Sequence, residues 1–442
     1  MKYLLFSLIL LSCAMTKETI RIPVTSYTLE NGLRVLLIKN NRLPIAHIRM
    51  YYNIGAKNEA ADTSGSSHFL EHMMFKGSKS YPEGSFDQLL EAVGGDNNAY
   101  TNFDSTVYYE DLPAHFIPKM LEMEADRMTH LELGEKSFEN ERNVVFEERK
   151  MRYENSAPGK LYLELVQAVF QGTPYEGSVI GSVEDLKNLT REKMIGYYRD
   201  YYAPNNAILV IAGDFNENVV KEEVRKNFAG LKKSEKVEEK KKIITKETVF
   251  PLNFKGIIDK KINGQTQNIL FMMGFKGKPI TSLEGFGLDL LSNIIGESES
   301  SALVQEFVKG QNPILSSVYS SNYTLQNAGT FFIGGELLPS TNLDNFKTKL
   351  QEKLKDICET AINEKTLQTA KNQMLISYFD KLSKNAGKAS FIGDRENFFN
   401  DHLFYKKEIS FYQNVKKEEI KEVCQKTINL SNFVFIAISD KF

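Results

Sequence analysis

The 442-residue chain is 42% hydrophobic and 25% charged, the balance of an ordinary globular protein, and its length allows two or three domains. A formal net charge of −2 gives no basic footprint, which argues against nucleic acid as a partner. Three cysteines are too few for a disulfide-built scaffold, and after Cys13 only Cys358 and Cys424 remain to form one bridge or none.

Lys2 is followed by an apolar run over 3–11, too short to span a bilayer but built like the core of a signal peptide. Leu10-Leu11-Ser12-Cys13 resembles a bacterial lipobox, in which the cysteine becomes the lipidated first residue. Residues 1–19 are therefore expected to be a signal peptide and lipoprotein tether. The remainder is expected to be exported and lipid-anchored at the periplasmic side of the envelope. No later segment reads as a transmembrane helix.

Asn31-Gly32 marks a hairpin before the alternating Leu33, Val35 and Leu37, and 45–54 reads as the next strand. A helix is expected over 64–76, with Ser64 and Gly65 suited to its start and Gly77 to its end. Phe86, Leu89, Leu90 and Val93 space a second helix, broken at Gly94-Gly95. A strand pair follows at 98–103 and 106–112. The pattern over 113–155 is helical with a break near Gly134, and further helices are expected over 161–170 and 183–202. A strand over 207–212 closes the first half, 20–232.

Residues 233–247 open with a run of lysine and glutamate, which reads as a solvated linker. The second half, 248–442, repeats the plan. Strands are expected at 267–275, 314–323, 330–337 and 433–438, and helices at 282–295, 343–362, 365–382 and 416–428. The fold class is α+β, as two tandem homologous units, each an antiparallel-rich sheet packed with helices.

The chemistry concentrates in His68-Phe69-Leu70-Glu71-His72. On a helix His68 and His72 are one turn apart and share a face with Glu71, while Phe69, Leu70, Met73 and Met74 turn to the core. Two imidazoles at this spacing can hold zinc, and the neighbouring carboxylate can take a proton from an activated water. The chain has six histidines in all, so this grouping is hard to ascribe to chance. A third ligand must come from elsewhere. Glu141 and Glu148 are two turns apart on one helix face and are the acids available. Glu139, Glu147 and Glu154 are expected on the solvated face.

Together these motifs resemble the pitrilysin/insulinase family of zinc peptidases, over most of the chain after residue 20. The matching parts are His68-x-x-Glu71-His72, Glu141-Arg142-Asn143 with Glu148, Gly94-Gly95 with Asn98-Ala99-Tyr100-Thr101, and Tyr201 to Asn206 before Gly213-Asp214. The resemblance implies that His68, His72 and Glu148 hold Zn²⁺, that Glu71 is the base, and that Glu141 orients a histidine. It also implies that Asn98, Ala99, Tyr100 and Thr101 lie on an edge strand that pairs with an extended peptide substrate.

The sequence departs from the family in the second half. Val308 and Leu315 stand where members commonly carry an arginine and, seven residues on, a tyrosine that hold substrate and transition state. Neither present side chain can donate a hydrogen bond. The expected function is a zinc-dependent endopeptidase for unfolded peptides. Its partner would be a related subunit bringing the arginine and tyrosine, or a second copy of the chain. The alternative is a non-catalytic assembly or binding subunit that keeps the fold.

Overall fold

The computed structural model describes residues 20–240 and 248–442. Thr25–Thr28 (β1) and Arg34–Lys39 (β2) form the expected hairpin, and Gly32 takes the positive φ of 91° at its turn. Ile45–Tyr52 (β3) is followed by the helices Ser66–Met73 (α1) and Ser85–Glu91 (α2), then by Asp96–Thr101 (β4) and Thr106–Pro113 (β5). Three longer helices come next: Ile117–Thr129 (α3), Glu135–Arg149 (α4) and Ala157–Val169 (α5). The single helix expected over 183–202 is two, Val183–Asn188 (α6) and Arg191–Tyr201 (α7). The Thr190 hydroxyl accepts the Lys193 amide and starts the second, so a capping residue divides the run. Ala207–Gly213 (β6) is followed by Glu217–Phe228 (α8), which the sequence reading did not include.

The charged run departs from a solvated linker. Glu235–Lys240 (α9) is a short helix that buries Val237 against the first half, and Asn205 fastens it by donating to Ser234 O at 2.9 Å and Glu238 Oε1 at 3.1 Å. The rest of the expected linker, 241–247, and the expected signal and tether with Cys13 lie outside the described residues.

The second half begins with Ile257–Asn263 (β7), a strand not expected from the sequence, and Leu270–Lys276 (β8). Leu283–Ser292 (α10), Leu315–Thr324 (β9) and Gly329–Leu337 (β10) follow. The helices Leu343–Asp356 (α11) and Glu364–Ser383 (α12) stand as expected. Asn385–Phe399 (α13) and Tyr405–Asn414 (α14) are additional, before Lys417–Thr427 (α15) and Phe433–Ser439 (β11).

Strand order makes the duplication plain. The first sheet runs β1-β2-β6-β3-β5-β4 and the second β7-β11-β8-β10-β9. Without β1, the orders correspond strand for strand. Each sheet has one parallel pair, β2 with β6 and β7 with β11, and its other pairs are antiparallel. The chain therefore uses one α+β unit twice.

The units exchange helices. α13, from the second half, packs on β3 and β6 of the first sheet, while α5, from the first half, packs on β8 and β11 of the second. Leu36, Tyr51 and Val210 consequently share a core with Phe391 and Ile392, and Leu165 and Val169 share one with Met272 and Val434. Small residues permit both contacts. A Cβ on Gly393 would lie 2.6 Å from the Tyr51 ring, and one on Gly274 would lie 2.7 Å from Leu165 Cδ1. Cys358 and Cys424 form a disulfide that ties the end of the α11 region to α15. No helix among the described residues is long and apolar enough to cross a membrane.

Because each unit holds a helix of the other, the halves should unfold together. Gly393→Val should cost about 1–3 kcal/mol by overpacking against Tyr51 and shift one calorimetric transition. Two separate transitions, with only one responding, would contradict this coupling.

Candidate metal centre

The site is built on α1, and α1 is started by its surroundings. Gly65 precedes the helix at φ 92°, and a Cβ there would meet Ile180 O at 2.4 Å, so only glycine fits. The Glu59 carboxylate accepts the Gly65 and Ser67 amides, each at 2.7 Å, satisfying first-turn donors that have no partner within the helix. Phe69, Leu70 and Met73 are fully buried beneath the sheet, which turns His68, Glu71 and His72 the other way, as their spacing predicts.

Helix α4 is docked beside α1 by the stacked Phe69 and Phe138 rings, 4.8 Å apart, and by buried Val145. Arg142 clamps it from the far side, donating to the carbonyls of Leu186 and of Leu189, the latter at 2.7 Å. This docking delivers Glu148. Its Oε2 lies 3.4 Å from His68 Nε2 and 3.2 Å from His72 Nε2, and the ligand atoms of the three residues all fall within 4.8 Å of one another. Glu139 and Glu147, by contrast, lie on the outer face and pair with Arg142 and Lys150.

These contacts have the chemistry of a cation site. Glu148 Oε2 is buried yet makes no well-formed hydrogen bond, although two ring nitrogens face it. Tetrahedral zinc with bonds of about 2.0–2.1 Å sets its ligand atoms roughly 3.3 Å apart. The two observed separations to Glu148 Oε2 match that spacing. Burial, with His72 beside it, pushes the His68 pKa down to about 3, so this ring is neutral and its nitrogen free to bind a metal. Burial also opposes charge on His72, but Glu141 and Glu148 outweigh it and raise that ring to about 9. A cation among the three groups would take the place of this proton.

The neighbours complete the arrangement. His72 Nδ1 is 2.8 Å from Glu141 Oε1, which fixes the ring with Nε2 toward Glu148, and Lys76 Nζ holds the other Glu141 oxygen at 2.8 Å. Arg152 Nη2 holds Glu148 Oε1 at 2.6 Å. Despite burial, these partners keep both carboxyls below the usual range. The sequence reading missed Lys76 and Arg152. Arg152 sits four residues beyond Glu148, a spacing that could have found it, whereas Lys76 reaches Glu141 on another helix and left no such signal.

Glu71 lies beside the His68, His72 and Glu148 group without being part of it. Burial pushes its pKa up, against a hydrogen bond of 2.5 Å that Thr101 Oγ1 donates to Oε2. The Thr101 contact left no signal in the sequence. β4 is the edge strand expected for Asn98, Ala99, Tyr100 and Thr101, and it pairs only with β5 among the described residues. Its side chains do not all face the site. Ala99 and Thr101 lie on the α1 side, while Tyr100 packs under Arg49, 5.6 Å from its ring, on the other face. A cavity of about 590 Å³ opens by the start of α1, lined in part by Lys57, Glu59, Ser64 and Phe103.

Comparison with known proteins agrees with this geometry. Residues 34–183 match the insulinase (peptidase family M16) description, and residues 188–374 match that of the peptidase M16 inactive domain. The chain is 32% identical over 383 residues to the zinc protease PqqE of Helicobacter pylori, covering 84% of this chain and 80% of that protein. It is 28% identical over 388 residues to an uncharacterized zinc protease, YmxG, of Bacillus subtilis, covering 86% and 89%. The crystal structure of a protease from Helicobacter pylori superposes with a TM-score of 0.88 at 27% identity, over 95% of this chain and 99% of that one. With two matched domains in tandem and a relative of this identity along most of its length, the chain belongs to the insulinase, or M16, peptidase family.

Proposed function

We propose that this protein is a zinc metalloendopeptidase acting on unfolded peptides. The convergence of His68, His72 and Glu148 on one point carries the reading. Those three residues would hold zinc, with Glu141 orienting His72. Zinc bound there supplies a Lewis acid for the scissile carbonyl and makes water acidic enough to attack near neutral pH. Glu71 takes the proton of the attacking water at Oε1, since Thr101 engages Oε2, and returns it to the leaving amine. Its raised pKa suits a group that must both accept and release a proton. The free edge of β4 would take the substrate as an added strand, so main-chain bonds rather than side chains select it.

A partner supplying further donors is the second part of the proposal. Leu315 is 1% exposed at the start of β9, and Val308 packs against the same core. Neither offers a hydrogen bond. A related subunit bearing an arginine and tyrosine would supply what they lack. The same observation favours the second reading, a non-catalytic binding subunit, which the complete donor set opposes.

Export and lipid anchoring are the third part. The 3–11 run and Cys13 support them, and so does the Cys358–Cys424 disulfide, a bond at home in an oxidising compartment. Metabolic labelling with a fatty-acid analogue should mark the wild type and spare Cys13→Ser. Equal labelling of the two, or of neither, would remove lipidation at Cys13.

Glu71→Gln should keep one zinc per chain and lose about 10²–10⁴ in turnover of an unstructured peptide pool, while Glu141→Gln should weaken zinc binding roughly 10–100-fold. A chelator should abolish the wild-type activity. Unchanged turnover in Glu71→Gln, or a wild type that takes no zinc, would defeat the peptidase reading.

An absent oxyanion stabiliser costs on the order of 10²–10³ in rate. The purified chain should therefore be slow even when zinc is saturating, and its native partner should raise kcat. Brisk cleavage by the isolated chain would make the partner unnecessary.

A further inference from the structure

The second half, which holds no group of metal-binding side chains among the described residues, reaches the first through a buried polar cluster at the tip of the β9–β10 hairpin. Lys57 Nζ lies 2.7 Å from Asp104 Oδ1 and donates to Gln326 Oε1 at 2.5 Å and Asn327 Oδ1 at 2.9 Å. The Gln326 amide donates to Asp104 Oδ2 at 3.0 Å, and Tyr175 OH donates to Asp104 Oδ1 at 2.7 Å. Asn327 is completed from its own side by donating to Thr248 O at 2.7 Å. Lys57, Asp104, Tyr175 and Asn327 are all buried. The ion pair here is thus desolvated, and the second half's amides and carbonyls satisfy it.

Both segments gripped by this cluster lead directly to the site. Lys57 is two residues before Glu59, whose carboxylate accepts the first amides of α1. Asp104 is three residues after Thr101, whose hydroxyl holds Glu71. The segments are also bonded to each other, Ala56 N to Asn102 O at 3.2 Å and Lys57 N to Phe103 O at 3.0 Å. There is no slack between them. A Cβ on Gly55 would meet Asn102 O at 2.4 Å.

We infer that Gln326 and Asn327 are positioning residues for the reaction. The hairpin tip of the second half, through Lys57 and Asp104, sets where α1 presents Glu71 against Thr101. This gives the second half a duty within a single chain, separate from any contact with substrate or partner. The inference rests on the peptidase reading for its consequence in rate, but its structural content does not.

The test compares the full-length double variant Gln326→Ala/Asn327→Ala with Tyr412→Phe. The latter removes the hydroxyl that bonds Asp289 at 2.7 Å within the second half's own core and so loosens that half elsewhere. Hydrogen exchange should show faster amides over 65–73 and 99–103 in the double variant and unchanged ones in Tyr412→Phe. On peptide with zinc saturating, the double variant should lose on the order of 10–10²-fold in kcat, with KM moved less than about 3-fold and zinc stoichiometry kept. Gln326→Glu, which keeps an acceptor for Lys57, should retain most of kcat. Should the double variant not fold, Gln326→Ala alone carries the same comparison, because its side chain is only half-buried. Equal exchange and equal kcat in the double variant and Tyr412→Phe would overturn the inference. A wild type without peptidase activity would instead overturn the proposed function and leave the exchange measurement to decide this one.

Discussion

Everything at the site depends on α4 being held against α1 although the groups they bring together do not bond well. Two ring nitrogens sit 3.2–3.4 Å from a buried carboxylate oxygen, with no well-formed hydrogen bond to relieve it. Desolvating a carboxylate costs several kcal/mol. The offset comes from outside the donor set. Phe69 and Phe138 are fully buried in the stack, and each such side chain contributes about 1.5–3 kcal/mol. Arg142 fixes the outer side of α4 to two carbonyls, and Arg152 balances Glu148 directly. Hydrophobic docking thus holds open an arrangement that electrostatics alone would leave incomplete without a cation.

Duplication supplies a frame for this, and helix exchange stiffens it. In the second unit α10 has the place of α1, packing beside β9 as α1 packs beside β4. Its sequence, Leu283–Ser292, carries no histidine, and Phe286, Leu288, Leu290 and Leu291 are buried, so α10 is a core element. One copy of the fold keeps a polar face toward the edge strand and the other fills that region with side chains. With α5 and α13 each packed on the opposite sheet, a displacement in either half is resisted by the core of the other.

The parts legible in the sequence were those written in local spacing. His68, Glu71 and His72 share a face because a helix turns every 3.6 residues, and the structure has that face. Glu148 lies 76 residues beyond His72, and spacing showed only that it faces the same way as Glu141. Its place at the site came from resemblance, because only tertiary docking connects the helices. The same route implies Thr101 on the substrate-facing edge strand, and the structure adds that its hydroxyl meets Glu71. α13 escaped notice for a physical reason. It is covered by the first sheet on one side and by α12 on another, so its buried residues Ala389, Phe391, Ile392, Gly393, Glu396 and Asn397 form no single apolar stripe. β7 escaped for the opposite reason. It is an edge strand with Asp259, Lys260 and Lys261 exposed, and alternation is lost. In α9, one buried valine among lysines and glutamates was too little pattern to read.

At Val308 and Leu315, where the resemblance leads one to expect an arginine and a tyrosine, the chain is committed to packing. Leu315 opens β9 with its side chain in the core, beside Phe307 and Leu337, and Ile314 N is bonded to Phe307 O at 3.0 Å just before it. A rotamer change cannot bring such a position to a substrate, since leaving the core would expose a leucine and open a cavity that costs about 2–5 kcal/mol. The backbone there is committed to packing. On the proposed function, this chain would contribute a metal centre, a base and an edge strand, and through Gln326 and Asn327 a brace. Any group that stabilises the transition state from the position of Leu315 has to be brought by a different polypeptide or by a different part of this one.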